Sequence, residues 1–180
     1  MVYVLLGTGF EEIEALAPVD LLRRAGVPVL TVGITGKVVF GGHNIGVEAD
    51  ILLEQMDLTE LEMIVLPGGL GGVASVRANQ GAMDALQFAW ENGKYVAAIC
   101  AGPTVLADLH ITDDKNTTCY PGCEGDMGET NIVSGAACVQ DGKLITGTSA
   151  GCAIPFGLKL VEVLKGTDTA NAIADQIVIR

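Results

Sequence analysis

Apolar residues follow two alternating patterns along the chain. Short runs rich in Val, Ile and Leu, typical of buried strands, are separated by segments in which apolar positions recur at helical spacing. The strands are predicted at residues 3–6, 27–33, 63–66, 95–99, 131–133, 137–139 and 143–146. The helices are predicted at residues 13–24, 71–78, 81–92, 102–109, 150–164 and 170–177. This alternation indicates βαβ units and predicts an α/β fold around a mostly parallel sheet.

Proline and glycine residues interrupt this pattern. Pro18 lies inside the first helix, so that helix is expected to kink or to restart there. Residues 37–40 form a short run of residues with strand preference that stops at two glycines. This pattern predicts one arm of a hairpin or an edge excursion. No internal repeat or linker divides the chain, and residues 1–180 are expected to form a single domain.

Composition and charge exclude several classes of partner. The chain is 49% apolar but only 4% aromatic, so aliphatic side chains must fill the core, and disorder is not expected. The formal net charge is −12, and the ten Lys and Arg residues are scattered. Without a basic patch, nucleic acid is not expected as a partner. Anionic substrates gain no long-range attraction, so local donors would have to hold them.

The first residues and the cysteine count bear on the cellular compartment. Residues 1–6 are apolar, but the run stops at Gly7 and has no basic segment before it, so it is predicted to be a strand rather than a signal peptide. No other stretch is long and apolar enough to span a bilayer. We therefore expect a cytoplasmic protein without a membrane partner. Its five cysteines, an odd number, are expected to be free thiols.

The strongest candidate for chemistry is Cys100. It lies between a predicted strand and a predicted helix, within the small-x-Cys-x-Gly segment at residues 98–102, which has the form of a nucleophile elbow with Cys in place of Ser. A sharp turn of this kind exposes the side chain, and the start of a helix favours the thiolate. The alternative is a buried structural cysteine. The complete strand, turn and helix context favours the reactive thiol.

Two neighbouring segments contain further candidates. Gly68 and Gly69 end a predicted strand and allow a backbone N–H to approach a substrate, which with the N–H of Ala101 would form an oxyanion hole; an ordinary turn is the alternative. Acidic residues also occupy the first turn of the first helix, at Glu11, Glu12 and Glu14. Spacing alone favours an interaction with the helix dipole for all three, although Glu14 is also placed to point inward, where a protonated carboxyl would stabilise a thiolate.

These segments together resemble the DJ-1/PfpI (ThiJ/PfpI) superfamily, on its DJ-1-like branch. The resemblance rests on Gly-Phe-Glu-Glu-Ile-Glu at 9–14, Pro-Val-Asp at 18–20, Leu-Pro-Gly-Gly at 66–69 and Ala-Ile-Cys-Ala-Gly-Pro at 98–103, and it continues through 147–157 and the terminal helix. It implies a flavodoxin-like three-layer α/β/α sandwich that forms homodimers.

The resemblance also implies roles for individual residues. Cys100 matches an oxidation-prone cysteine, Glu14 matches a protonated glutamate that contacts its sulfur, and the backbones of Gly69 and Ala101 match the oxyanion donors. No cofactor or metal is implied. Family members have been described as glyoxalases or deglycases acting on methylglyoxal adducts, as redox-regulated chaperones and, in a distant branch, as peptidases. Fold alone does not choose among these activities.

The chain departs from the family pattern at one position. Several relatives place a histidine before a proline near the cysteine, where the segment 117–121 (Thr-Thr-Cys-Tyr-Pro) has Tyr120. His43 and His110 do not match that site and are expected to be structural or solvated. A Cys-His-acid triad is therefore not expected. This weakens a peptidase assignment most, because amide cleavage needs a proton donor for the leaving amine.

The other four cysteines lie outside the elbow. Cys119 is interpreted as a pocket residue, together with Gly68 and Tyr120, and a resolving thiol for oxidised Cys100 is its alternative role. Cys119 and Cys123 lack a second ligand pair at zinc-like spacing, so metal binding is not expected. The last two thiols lie in apolar segments and are predicted to be core residues: Cys138 and Cys152.

Three hypotheses about function remain. The first is a cofactor-free enzyme in which the Cys100 thiolate adds to a small reactive carbonyl such as methylglyoxal, with Glu14 as acid and base. The second is an oxidative-stress sensor or redox-regulated binding protein, in which Cys100 becomes a sulfinic acid. The third is a hydrolase or amidotransferase-like glutaminase, which requires a nearby base that the sequence does not supply.

Overall fold

The computed structural model describes residues 1–179 and contains strands and helices in alternation along the chain. The strands are β1 (Val2–Leu6), β2 (Val29–Gly33), β3 (Val38–Phe40), β4 (Gly46–Glu48), β5 (Ile51–Leu52), β6 (Met63–Leu66), β7 (Tyr95–Ile99), β8 (Asn116–Thr117), β9 (Asn131–Ile132), β10 (Cys138–Asp141) and β11 (Leu144–Gly147). The helices are α1 (Glu12–Arg24), α2 (Leu70–Arg77), α3 (Gln80–Glu91), α4 (Pro103–Asp108), α5 (Ala153–Lys165) and α6 (Thr167–Gln176).

The central sheet has seven strands in the order β10-β11-β7-β6-β1-β2-β5. Every neighbouring pair is parallel except β10 with β11, which is antiparallel. The predicted α/β class with a mostly parallel sheet is confirmed. Because β1, β6 and β7 run side by side in the same direction, their carboxyl ends meet at one edge of the sheet, where ligands bind in open α/β folds.

Helices cover both faces of this sheet. Val2, Val4 and Leu6 of β1 pack with apolar residues of α1, α5 and α6, whereas Tyr3 and Leu5 of the same strand pack with apolar residues of α2, α3 and α4. Since side chains alternate between the faces of a strand, a continuous apolar run is what a strand buried on both faces requires. The result is the three-layer α/β/α arrangement that the resemblance implied.

The first helix passes through its proline without ending. α1 is continuous from Glu12 to Arg24 with Pro18 inside it, so the expected restart does not occur. α5 lies very close to α1 at this point: a Cβ built on Gly157 of α5 would lie only 3.0 Å from the Cα of Pro18. Proline lacks the backbone N–H that donates a hydrogen bond inside a helix. Close packing against α5 stabilises α1 at the position where that hydrogen bond is missing.

The structure corrects several other sequence-based predictions. The predicted hairpin is present, with β3 and β4 paired antiparallel. β5 and β8 were missed, since each has only two residues and gives no periodic signal.

Cys138 and Cys152 are half-buried rather than core residues: one lies on the edge strand β10, and the other lies in the short 3₁₀ turn Ala150–Cys152 before α5. Within residues 1–179, no helix combines the length and the apolar character needed to cross a membrane.

Candidate active site

Cys100 occupies the turn between β7 and α4. Its backbone is left-handed, with φ of 65°, a conformation that costs a residue with a side chain about 1–3 kcal/mol. Two hydrogen bonds hold this turn: the Cys100 N–H donates to the carbonyl of Gly147 at 3.0 Å, and its carbonyl accepts from the N–H of Tyr120 at 2.8 Å. The end of β11 and the loop around Tyr120 therefore fix the thiol at the carboxyl edge of the sheet.

Gly68 is the position at which the site converges. A Cβ built on this residue would lie 2.5 Å from Oε2 of Glu14, 2.7 Å from the Cβ of Cys100 and 3.1 Å from the amide nitrogen of Ala101. No side chain fits among those three groups. The lack of a Cβ at Gly68 is what allows β6 to bring the acid and the thiol to the same place.

Glu14 is fully buried in the first turn of α1. Its Oε2 accepts a hydrogen bond from the Gly68 N–H at 2.9 Å, while its buried Oε1 has no nitrogen or oxygen partner among residues 1–179. The N-cap residue Glu11 accepts from the Glu14 N–H at 2.8 Å and so fixes the start of the helix. The helix-dipole interpretation, which spacing alone favoured, does not describe Glu14, because this carboxyl points into the protein beside the thiol.

The acid and the thiol perturb each other. Burial is the main reason that the pKa of Glu14 rises to about 7. Burial, followed by the negative charge of ionised Glu14, raises the pKa of Cys100 to about 12. The contribution of Glu14 to that rise disappears when its carboxyl is protonated. Above about pH 7 the pair therefore holds one proton, which lies mainly on the thiol, and the minor tautomer with the proton on Glu14 carries a thiolate on Cys100.

Two backbone amides stabilise that thiolate. The backbone N–H groups of Ala101 and Gly69 lie beside the Cys100 sulfur and lower the pKa of its thiol. Gly69 has φ of 86°, in the region that favours glycine, and it is the N-cap of α2. Both amides predicted as oxyanion donors therefore lie beside the sulfur. When the sulfur attacks a carbonyl carbon, the same two amides would stabilise the negative charge on the carbonyl oxygen.

The sulfur faces a small, mainly apolar cavity of about 270 Å³. The residues that line it are Glu11, Gly69, Leu70, Cys100, Ala101, Tyr120 and Cys123. Leu70 is 82% exposed and Tyr120 is 49% exposed, so these two side chains form the rim. A cavity of this size suits a ligand of few atoms better than a folded peptide chain.

Some predicted pocket residues lie elsewhere, and one lining residue was missed. Gly68 lies behind the cavity, under the acid and the thiol, and Cys119 is buried and does not line the cavity. Cys123 lines it instead. The available signal was its spacing: a turn in which the Cys123 N–H donates to the Tyr120 carbonyl at 2.9 Å brings the fourth residue back beside the first.

Both histidines lie within the described residues, and neither lines the cavity. The ring of His43 lies 2.9 Å from Oε2 of Glu12, and the ring of His110 lies 3.0 Å from the carboxylate of Asp113. Glu12 is itself buried and also accepts from the His43 backbone N–H at 2.8 Å. It therefore holds the β3–β4 loop against α1, a structural role that the helix-dipole interpretation missed.

One group of side chains has a metal-like arrangement. Among residues 1–179, Glu11, Glu12 and His43 place their potential ligand atoms within 4.8 Å of one another. The carboxylates already accept hydrogen bonds, Glu11 from the Glu14 N–H and Glu12 from His43. A cation bound there would compete with the bonds that start α1 and anchor the hairpin.

The role of Glu14 as proton carrier predicts a specific pH dependence. As pH rises through the pKa of Glu14, about 7, the pair loses its first proton and the alkylation rate of Cys100 should rise. Glu14→Gln and Glu14→Leu should both lack this inflection. Gln retains a donor towards sulfur, so it should react at least about tenfold faster than Leu at neutral pH. Iodoacetamide kinetics with mass detection of Cys100 measure both effects; an inflection that survives in Glu14→Gln would contradict the assignment.

Comparisons with known proteins agree with this architecture. The DJ-1/PfpI family profile matches residues 1–163. The Protein dj-1beta of Drosophila melanogaster is 34% identical over 178 residues, covering 98% of this chain and 95% of that protein, and its crystal structure superposes with a TM-score of 0.95 at 33% identity over 99% of this chain and 97% of the other. The oxidized DJ-1 of Toxoplasma gondii superposes with a TM-score of 0.92 at 30% identity over 98% and 97% of the two chains. A protein of Pyrococcus abyssi named as a deglycase is 30% identical over 165 residues, covering 91% of this chain and 99% of that protein. This chain is a member of the DJ-1/PfpI family.

Proposed function

We propose that this protein is a cofactor-independent enzyme of the glyoxalase or deglycase type, which acts on methylglyoxal and related reactive carbonyls in stress protection. One observation carries the proposal: the Cys100 sulfur faces a small cavity between two backbone donors and beside a carboxyl, Glu14, whose pKa is near neutrality. A relative named as a deglycase supports the same class of chemistry.

The first step is addition of the Cys100 thiolate to the aldehyde carbon of methylglyoxal. A C–S bond forms and the carbonyl electron pair moves to oxygen. The N–H groups of Gly69 and Ala101, which lie beside the sulfur in the free protein, would stabilise that oxygen. Protonation of the oxygen gives a hemithioacetal.

The second step moves one proton within the adduct. Glu14 removes the hydrogen from the former aldehyde carbon and returns a proton to the adjacent carbon, through an enediol, to give a thioester of lactic acid. Water then attacks the thioester, the C–S bond breaks, and lactate and the Cys100 thiol are released. The net reaction is addition of one water, so no external oxidant or reductant is consumed. A carboxyl with a pKa of about 7 is suited to both accept and donate the proton.

The position of the histidines favours carbonyl chemistry over amide hydrolysis. His43 interacts with Glu12, and His110 interacts with Asp113, so neither is available beside Cys100 to protonate a leaving amine. Addition to an aldehyde expels no leaving group and needs no such donor. The peptidase and glutaminase hypotheses consequently lack the histidine that would protonate their leaving amine.

Replacement of the nucleophile tests the proposal. Cys100→Ser should lower lactate production from methylglyoxal by at least about a thousandfold, because the hydroxyl is not ionised in this site. Cys138→Ser is the matched control, since that thiol lies in a different groove, on β10 beside α5 and α6. An enzymatic lactate assay gives the rates, and equal rates for Cys100→Ser and the unsubstituted protein would rule out this mechanism.

A second function is favoured by the unpartnered oxygen of Glu14. Oxidation of Cys100 to a sulfinic acid would place oxygens near Oε1 of Glu14 and the N–H groups of Gly69 and Ala101, which supports a role as an oxidative-stress sensor or redox-regulated chaperone. The protein is treated with increasing amounts of peroxide, with a reductant present to open disulfides. Cys100 should then gain two oxygen atoms before any other cysteine gains one. Peptide mass mapping measures this order. Oxidation spread evenly over all five cysteines would remove the sensor hypothesis.

We also infer that the protein acts as a homodimer, in keeping with the resemblance. The supporting surface is an exposed apolar patch on the start of α1 and on the β3–β4 hairpin, which Glu12 holds together. The residues of this apolar patch are Ile13, Leu16, Val38, Phe40 and Ile45. A single patch that meets its own copy satisfies the requirement of a twofold interface.

A charge placed in the apolar patch tests the dimer. The unsubstituted protein should sediment as a dimer, and Phe40→Asp should shift it to monomer because a carboxylate would be buried without a partner. Val178→Asp is the control, since Val178 is also exposed but lies near the end of the described residues, outside the patch. Sedimentation velocity distinguishes the species. A Phe40→Asp protein that remains dimeric would assign the interface to another surface.

A further inference from the structure

The cavity above the nucleophile contains two thiols. Cys100 and Cys123 both line it, and all five cysteines of the chain are free in this structure. Cys119, the nearer of the two loop cysteines in sequence, does not line it and is buried. Proposed carbonyl chemistry uses only Cys100, so Cys123 is a half-buried nucleophilic group in the site without an assigned role.

Two backbone hydrogen bonds link Cys123 to the elbow through Tyr120. The Tyr120 N–H donates to the Cys100 carbonyl at 2.8 Å, and the Cys123 N–H donates to the Tyr120 carbonyl at 2.9 Å. The turn between them has Pro121 and then Gly122 with φ of 100°, the sequence preference of a type II turn, whose ends lie within about 7 Å. One tight turn therefore connects the partner of the nucleophile to the second thiol.

The segment that follows Cys123 has an open outer surface. Gly125, in the following 3₁₀ turn Glu124–Asp126, has no neighbouring atom within 4 Å of the place where a Cβ would lie. Cys119 is held elsewhere, because the preceding residue Thr118 is tied to the end of β11. The Thr118 N–H donates to Oγ1 of Thr146, and the hydroxyls of Thr118 and Thr148 hydrogen-bond each other, both at 2.9 Å. Cys123 therefore lies in the cavity with Cys100, whereas Cys119 is anchored outside it.

We propose that Cys123 is the resolving thiol of Cys100, and that peroxide converts the pair into a reversible disulfide. The inference rests on the reactivity of Cys100 and not on carbonyl turnover. A disulfide requires the two Cα atoms to lie within about 7 Å, so its formation draws the turn at residues 120–123 onto the elbow.

The reaction balances with peroxide as the only oxidant. The Cys100 thiolate attacks a peroxide oxygen, an S–O bond forms as the O–O bond breaks, and hydroxide leaves, so sulfur loses two electrons to peroxide. The Cys123 thiolate then attacks the oxidised sulfur, an S–S bond forms as the S–O bond breaks, and hydroxide leaves and takes up a proton. Overall, two thiols and one hydrogen peroxide give one disulfide and two waters.

The charges around Cys123 set the pace of the second step. Burial and the carboxylates of Asp126 and Glu124 raise the pKa of Cys123, while the Arg77 guanidinium lowers it. Because the thiolate is the attacking species, resolution should be slow at neutral pH and should accelerate as pH rises. Under strong peroxide at neutral pH, further oxidation of Cys100 to the sulfinic acid competes with the disulfide.

The experiment compares single substitutions in the full chain. Reduced protein is treated with hydrogen peroxide in steps from one to several equivalents, remaining thiols are alkylated, and products are identified by intact mass and by peptide mapping. The unsubstituted protein and Cys119→Ser should give a Cys100–Cys123 linked peptide that dithiothreitol releases, with a yield that increases with pH. Cys123→Ser should give no link and should accumulate the Cys100 sulfinic acid at least about tenfold faster.

Several outcomes would overturn the proposal. One is a link from Cys100 to Cys119, and another is the absence of any link with Cys100 oxidised equally in the unsubstituted protein and in Cys123→Ser. Cys123→Ala serves as a second variant if the serine disturbs folding, which far-UV circular dichroism would reveal. The readout is the mass of the protein, so loss of lactate formation would reject the enzyme proposal without affecting this test.

Discussion

The site depends on a carboxyl that is removed from water and placed beside a thiol. Full burial makes the ionised form of Glu14 costly, and once Glu14 is ionised its charge makes a second negative charge on the adjacent Cys100 sulfur more costly still. Two acids in one buried place therefore share a proton at neutral pH instead of both losing it. The shared proton also explains how Cys100 has a reactive thiolate form although the pKa of its thiol is raised. The thiolate forms when the proton of the thiol moves to the neighbouring Glu14 carboxyl.

Main-chain geometry, rather than side-chain bulk, builds this arrangement. The lack of a side chain at Gly68 leaves room for the Glu14 carboxyl beside Cys100, and the Gly68 N–H fixes one oxygen of that carboxyl. The left-handed turn at Cys100 places the sulfur at the carboxyl edge of the sheet. The donors at Gly69 and Ala101 are also backbone groups. Because a backbone amide carries no rotamer freedom, these donors lose little entropy when they bind a developing charge.

Much of this could be predicted from sequence, for reasons that differ between elements. β6 and β7 were placed to the residue, because a strand buried on both faces must be a continuous apolar run that ends where the site begins. The two-residue strands β5 and β8 carry no such signal. Cys100 was found because strand, turn and helix all leave local marks. The inward direction of Glu14 was supplied by the family resemblance, since an acid in a first helical turn is equally well explained by the dipole. The choice between Cys119 and Cys123 depends on how one loop folds over the sheet; the spacing of Cys123 from Tyr120 permits a turn, but it does not say which thiol reaches the cavity.

The N-cap at Glu11 ties the chemistry to the integrity of the first turn of α1. Its carboxylate holds the Glu14 amide, so the backbone of the proton carrier is the same backbone that starts the helix. Helix ends open more readily than the core of a sheet. Fraying of this single turn would withdraw the acid from the sulfur while the elbow, held by Gly147 and Tyr120, stayed in place. The protein would then keep its fold but carry an isolated thiol, and its function would be lost at a lower temperature than its structure.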